Sequence, residues 1–185
     1  LEAVKVGLLG LGTVGSGVVR VLARNDEEIS RRAGRAIRVV RAASRDLSVR
    51  RDCDLSGIAL TDRAQDVVDD PDIDIVVELI GGTGIAYEMV LRAIDQGKHV
   101  VTANKALIAL HGNEIFARAS ERGVTVAFEA AVGGGIPVIK PYARHWPGIR
   151  SNGWPALSTA LAISSSVKCA TRVAISRMCS RRHRV

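Results

Sequence analysis

No stretch of this sequence stays apolar for the roughly 18 residues that a bilayer-spanning helix requires, and no lysine-led leader with a cleavage site opens it. A membrane partner is therefore not expected. Cysteine is scarce: Cys53, Cys169 and Cys179 are too few and too scattered for a disulfide framework or a metal knuckle. A reducing cytoplasm is the expected compartment. The most telling absence is local. After Glu129 the chain has nine Lys or Arg residues and no Asp or Glu.

That absence changes the meaning of the formal net charge of +7. Removing those nine basic residues leaves 17 basic against 19 acidic residues in the first 129. The globular part is mildly acidic, and the basicity belongs to the end of the chain. From about Arg144 the composition shifts to tryptophan, proline, serine and arginine, and both tryptophans lie there. A basic segment can bind nucleic acid by neutralising phosphates. This one lacks the interleaved aromatics of a stacking platform, so a nucleic-acid partner is not expected. The division predicted is a folded unit over residues 1–142 and a basic tail over 143–185.

What the first part does have is alternation. VKVGLLG (Val4 to Gly10) is a short continuous apolar run of the kind a buried parallel strand shows. Thr13 to Ala33 carries Val14, Val18, Val21, Leu22 and Ile29 near helical spacing and predicts one helix. IRVVRAAS (Ile37 to Ser44) reads as a second strand. A short strand near Ile58 precedes Asp62, a helix N-cap by type. DIDIVVELIGG (Asp72 to Gly82) reads as another buried strand, and the helix after it closes at Gly97 in a left-handed C-cap. KHVVTANKAL gives a strand and a helix start, that helix ends near Gly123, and VTVAFEA gives one more strand. Buried strands separated by helices predict an α/β, Rossmann-type doubly wound parallel sheet.

Four motifs bear chemistry. GLGTVG, comprising Gly10, Leu11, Gly12, Thr13, Val14 and Gly15, follows a strand and opens a helix. In that context the first glycine permits a tight turn, the second lets the backbone approach a pyrophosphate, and the third lets the helix pack close. The helix N-terminus then faces the phosphates. At the end of the second strand, ASRDLSVRR places Arg45 where a ribose 2′-phosphate would lie, with Arg50 and Arg51 nearby. Asp46 is adjacent, so the pattern favours NADP and leaves NAD open. Arginines coating a solvated loop would read the same way. TANKAL places Lys105 at the carboxyl end of a strand, where open α/β sheets bind ligands. A lysine in a helix's first turn opposes the helix dipole, so position alone offers either a coenzyme contact or a surface lysine. FEAAVGGGIPVI sets three glycines beside Glu129, which suits convergent carbonyls and a hard cation; as composition it is only a tight turn.

In order and spacing, GLGTVG, the ASRDL strand end, VVELIGG, GKHVVTANKAL and FEAAVGGGIPVIK together resemble the cofactor half of homoserine dehydrogenase, over residues 4 to about 142. The resemblance implies reversible hydride transfer between NAD(P)H and aspartate semialdehyde, giving homoserine on the path to threonine and methionine. It implies that Gly10 to Gly15 hold the pyrophosphate, that Arg45 selects the coenzyme and that Lys105 contacts it near the substrate. It further implies a monovalent cation, commonly sodium, held by Glu129, Val132, Gly134 and Ile136. Members form homo-oligomers through their other half, so this portion does not decide an oligomeric state.

Family members continue from GGGIPVIK into a helix and a substrate loop, and farther on to a lysine that serves as proton donor. The tail here matches none of that. Yet GWPALSTA, Gly153 to Ala160, can be encoded so that a one-base shift reads LAGIVNG, and Leu161 to Ala170 then permits the family continuation. The expectation is a one-base frameshift near Ala143 to His145. Two readings follow for the chain: a homoserine dehydrogenase represented by its cofactor half, or an NADP-binding fragment without catalysis.

Overall fold

The computed structural model of the chain describes residues 2–133. Six strands, β1 (Val4–Leu9), β2 (Ile37–Ala43), β3 (Ala59–Thr61), β4 (Ile75–Glu78), β5 (His99–Thr102) and β6 (Val126–Ala127), form one parallel sheet in the order β3-β2-β1-β4-β5-β6. Six helices connect or follow them: α1 (Thr13–Arg24), α2 (Asp26–Ala33), α3 (Ala64–Val68), α4 (Gly84–Asp95), α5 (Lys105–Glu121) and α6 (Glu129–Gly133). This is the doubly wound Rossmann-type order expected from the alternation of apolar runs and helices. No helix among the described residues is long and apolar enough to cross a membrane.

The continuous apolar runs are explained by burial on both sides. In β1, Val4, Val6 and Leu8 join the core beneath α1 and α2, with Val18, Leu22 and Ile29. Leu9 joins the core on the other face, with Val67, Val90, Ile94, Leu107 and Ile115. β4 divides likewise, Ile75 and Val77 to one side and Val76 to the other. A strand covered on both faces needs apolar residues on both, so its sequence shows a near-continuous run, broken in β1 by the half-buried Lys5.

Three expectations about element bounds are corrected. The helix over Thr13 to Ala33 is two helices, broken at Asn25 (φ −115°, ψ 25°), whose side-chain amide donates to Val21 O at 2.8 Å. Asp26, Glu27 and Glu28 fill the first turn of α2, and Arg31 and Arg32 its last. That polarity suits a fresh helix dipole and marks a new start. Asp62 is not the cap of α3. The cap position is Arg63, which makes no side-chain cap bond, and the Thr61 hydroxyl ties the strand end to the helix start, accepting from Arg63 N–H at 3.1 Å and donating to Asp66 at 2.7 Å. The last strand is also short: it ends at Ala127, and Glu129 opens a helical turn where an extended chain was expected.

The helix ends are legible and repeated. Gly97 (φ 75°) follows α4 and donates to Ile94 O, while Lys98 donates to Ala93 O. Gly123 (φ 67°) and Val124 make the same pair of bonds to Ser120 O and Ala119 O after α5. Each left-handed residue satisfies carbonyls the helix would leave open and turns the chain toward the next strand.

Candidate functional site

Chain order reverses at β1, whose neighbours are β2 on one side and β4 on the other. In open α/β sheets a ligand crevice forms at the carboxyl ends of the strands that flank such a reversal. The candidate groups line that edge strand by strand: Arg45 after β2, the glycine turn after β1, Glu78 at the end of β4, Lys105 after β5 and Glu129 after β6. From β2 to β5 is three strand spacings, about 14 Å. That distance accommodates two nucleotide halves joined by a pyrophosphate.

The glycine turn is built against β4. Gly10 has φ 101°, and a Cβ there would lie 2.8 Å from Leu79 O. Its N–H donates to Ala43 O at 3.0 Å, which ties the turn to β2. Leu11 is buried in the core, whereas Gly12, Thr13 and Val14 are exposed. A Cβ on Gly12 would meet nothing within 4 Å, so this side of the turn is open to an incoming group. Gly15 is buried, with its Cα against the Gly10 carbonyl. The first turn of α1 contains no acid and no side-chain cap, so its N–H groups and partial positive charge face the open side. The residues present therefore fit a pyrophosphate.

The loop after β2 is organised internally. Asp46 accepts from Ser48 N–H at 2.9 Å and from the Ser48 hydroxyl at 2.6 Å. The Ser48 hydroxyl, followed by its N–H, holds the Asp46 carboxyl below the usual aspartate range. Arg51 crosses the loop, its Nη2 donating to Ser44 Oγ at 2.7 Å and to Asp46 O at 2.6 Å. Arg45 stands exposed directly after the strand, and Leu47 and Val49 are exposed beside it.

At β4 and β5 the structure reveals a network that the sequence reading missed. Glu78 is wholly buried. Its Oε1 accepts from Ile80 N–H at 2.9 Å and Gly81 N–H at 3.1 Å, and its Oε2 accepts from the Thr102 hydroxyl at 2.6 Å. Thr102 Oγ1 in turn accepts from Asn104 N–H at 2.9 Å. Asn104 caps α5 by accepting from Leu107 N–H at 3.1 Å, and its amide donates to Gly82 O at 2.6 Å. A carbonyl on one side and an N–H on the other leave only one orientation for that amide. Lys105, exposed, is the first residue after this cap. An acid inside VVELIGG was the available signal, since a carboxylate in a buried run must have partners.

Glu129 opens α6 and Val132 lies in it, both half-buried. α6 packs against α5 and β5, and the rings of Phe128 and Phe116 meet tilted by 45° with centroids 4.9 Å apart. Gly134 and Ile136, the other members of the expected cation set, lie outside the described residues, as does the tail over 143–185. A carboxylate at the opening of α6 is a donor type that suits a hard cation.

Residues 10–129 match the family described as "Homoserine dehydrogenase, NAD binding domain". The chain belongs to the homoserine dehydrogenase family. A homoserine dehydrogenase of Pseudomonas aeruginosa is 61% identical over 140 residues, covering 76% of this chain and 32% of that protein. One from Neisseria gonorrhoeae is 54% identical over 143 residues, again 76% of this chain and 32% of the relative. The crystal structure of a homoserine dehydrogenase from Thiobacillus denitrificans superposes with a TM-score of 0.71 at 60% identity, over 78% of this chain and 33% of that one. The chain spans about a third of the length of the homoserine dehydrogenases it matches.

Proposed function

We propose that this chain is the coenzyme-binding portion of a homoserine dehydrogenase that interconverts L-aspartate 4-semialdehyde and L-homoserine, on the threonine and methionine pathway in the cytoplasm. The observation that carries the reading is the edge just described. An uncapped helix N-terminus behind an open Gly12 lies between an arginine loop and Lys105, across the switch point of a Rossmann-type sheet.

Each residue has a part in this reading. Gly10 to Gly15 receive the pyrophosphate, Gly12 by leaving room and Thr13 and Val14 by presenting first-turn N–H groups. Arg45 takes the 2′-phosphate, which makes NADP the preferred coenzyme over NAD. Two features support that preference: no acid precedes Arg45 at the strand end, and Asp46 is already engaged by Ser48. Lys105 sits at the nicotinamide end and orients the coenzyme and the substrate oxygen. When bound, the nicotinamide supplies or accepts the hydride. Glu129 and Val132, with Gly134 and Ile136, hold a monovalent cation, sodium by preference, that stiffens the chain leaving β6.

A second reading applies to the 185-residue polypeptide itself: an NADP-binding unit without turnover, formed by residues 1–142 and followed by an out-of-frame segment over 143–185. It is supported by the composition of residues 143–185, basic and without a single acid, which departs from the family's pattern. Titration with NADPH tests the shared part, and homoserine-dependent reduction of NADP separates the two readings. Failure to bind NADPH would sink both. Resequencing the coding DNA across Lys140 to Asn152 tests the frameshift, which stands only if a base proves miscalled or lost.

A further inference from the structure

Glu78 is the only wholly buried acid among the described residues. A carboxylate removed from water is costly unless hydrogen bonds replace its hydration. Here they do, and their destinations are unusual. Two tie Glu78 to the loop after β4, at Ile80 and Gly81, and the third ties it to Thr102, the last residue of β5, where the next loop of the coenzyme edge begins. Thr102 passes the connection to Asn104, and Asn104 divides it between Gly82 O and the first turn of α5. The start of α5 is thereby held to the end of β4 through three side chains.

That anchoring meets a specific need. Lys105 is the first residue of α5, where its positive charge is repelled by the helix dipole. A helix beginning with lysine tends to fray at that turn, and fraying would move the ammonium group. We propose that Glu78 is a positioning residue: acting through Thr102 and Asn104, it fixes where α5 begins and so where Lys105 stands toward the nicotinamide half of the coenzyme. Glu78 itself touches no coenzyme. The inference rests on the coenzyme reading given above, and it adds a residue that decides the geometry of one half of the ligand only.

The experiment compares two probes on the full 185-residue chain. NADPH reaches both halves of the site, whereas adenosine 2′,5′-bisphosphate lacks the nicotinamide riboside. Thr102→Val removes the hydroxyl that bridges Glu78 and Asn104 while keeping the side chain's shape. It is expected to weaken NADPH about tenfold, the scale of one misplaced charge-assisted hydrogen bond, and to leave the bisphosphate within about twofold. Thr102→Ser restores NADPH affinity, and Glu78→Gln, whose amide can still donate to the Thr102 hydroxyl, weakens NADPH less than Thr102→Val. Lys105→Met lowers NADPH affinity alone, and adding Thr102→Val to it costs nothing further, because both act through the same group.

The outcomes are distinct. If the parent chain binds neither probe, the coenzyme reading is overturned and this inference with it. If the parent binds both, equal loss of the two probes in Thr102→Val, or no loss of either, overturns the positioning role and leaves the coenzyme reading intact. Additive losses in the Lys105→Met, Thr102→Val pair do the same. Thr102→Val carries the decision if Glu78→Gln fails to fold.

Discussion

A Cβ on Gly15 would strike the carbonyl oxygen of Gly10, five residues earlier across the turn that joins β1 to α1. The turn is closed at Gly15 and open at Gly12, so the two glycines have separable jobs. Gly15→Ala is expected to destabilise the fold by about 1–3 kcal/mol through overpacking and to weaken NADPH as α1 shifts. Gly12→Ala is expected to leave the denaturation midpoint nearly unchanged and still weaken NADPH, since the new methyl group occupies the open face. Urea unfolding and NADPH titration of both variants check this; full NADPH affinity in Gly12→Ala would remove that face from the site.

Two arginines on the β2 loop make different predictions. Arg45 is exposed, whereas Arg51 is spent on Ser44 and Asp46. Arg45→Ala should weaken NADPH by roughly tenfold, as loss of a charged hydrogen bond does, and leave NADH nearly unchanged. Arg51→Ala loosens the loop and should weaken both coenzymes alike. Parallel titrations with NADPH and NADH read the ratio, and an Arg45→Ala variant with an unchanged ratio would assign 2′-phosphate selection elsewhere.

Lys98 is buried at the opposite end of the sheet, its Nζ donating to Asp70 O at 2.5 Å and Ile73 O at 2.9 Å. Desolvation lowers its pKa, and the nearby aspartates, Asp70 foremost, oppose that shift. Lys98→Met keeps the stem but strands two carbonyls, with an expected loss of about 1–3 kcal/mol. Because this site is far from the coenzyme edge, NADPH affinity of the folded variant should stay at the parent value. Chemical denaturation with a parallel NADPH titration tests both halves of the statement.

Acid should loosen the joints between helices before it affects the core. Arg92 grips Asp69 at 2.6 and 2.8 Å, and Arg118 grips Asp95 at 2.7 and 2.9 Å. These hydrogen bonds, first among the causes, hold both carboxyls below the ordinary value of 3.8. A folded-state pKa below the unfolded one means the stabilisation is fully present above the ordinary value. It fades as pH falls through the lowered values. Stability measured at low salt should therefore decline below about pH 4, and the Arg92→Met, Arg118→Met double variant should decline less steeply. Both pairs are partly exposed, so the effect is small and screened by salt. Identical slopes in parent and variant would rule out these pairs as its source.

Local pattern was enough wherever one segment determines its own structure. The β1 run, the glycine turn and the stops at Gly97 and Gly123 depend on side-chain burial and on backbone angles within a few residues. The split at Asn25 was also legible, through the acid-rich first turn of Asp26 to Glu28, but the apolar spacing masked it. Glu78 was not legible as a scaffold, because its partner Thr102 is 24 residues away and the pairing exists only once β4 and β5 lie side by side. Asp62 does not cap α3 for a similar reason: the strand end brings the Thr61 hydroxyl, not the Asp62 carboxylate, to Arg63 N–H and Asp66. Of the four residues expected to hold a cation, Glu129 and Val132 lie among the described residues.

The strand order also bears on how the chain is made. β1 pairs first with β2, but its other neighbour, β4, begins 69 residues downstream of Val6, at Ile75. Between completion of β2 and of β4 the ribosome must add about 35 residues, roughly 2–7 s of synthesis at typical rates. Throughout that interval a nascent chain presents Val6, Leu8 and Leu9 along an open edge, a template for pairing with a neighbouring chain. Protease sensitivity of chains stalled before and after β4 emerges would reveal the interval, and equal sensitivity would show that β1 is protected without its partner. The central strand of the finished sheet is thus its most vulnerable one during birth.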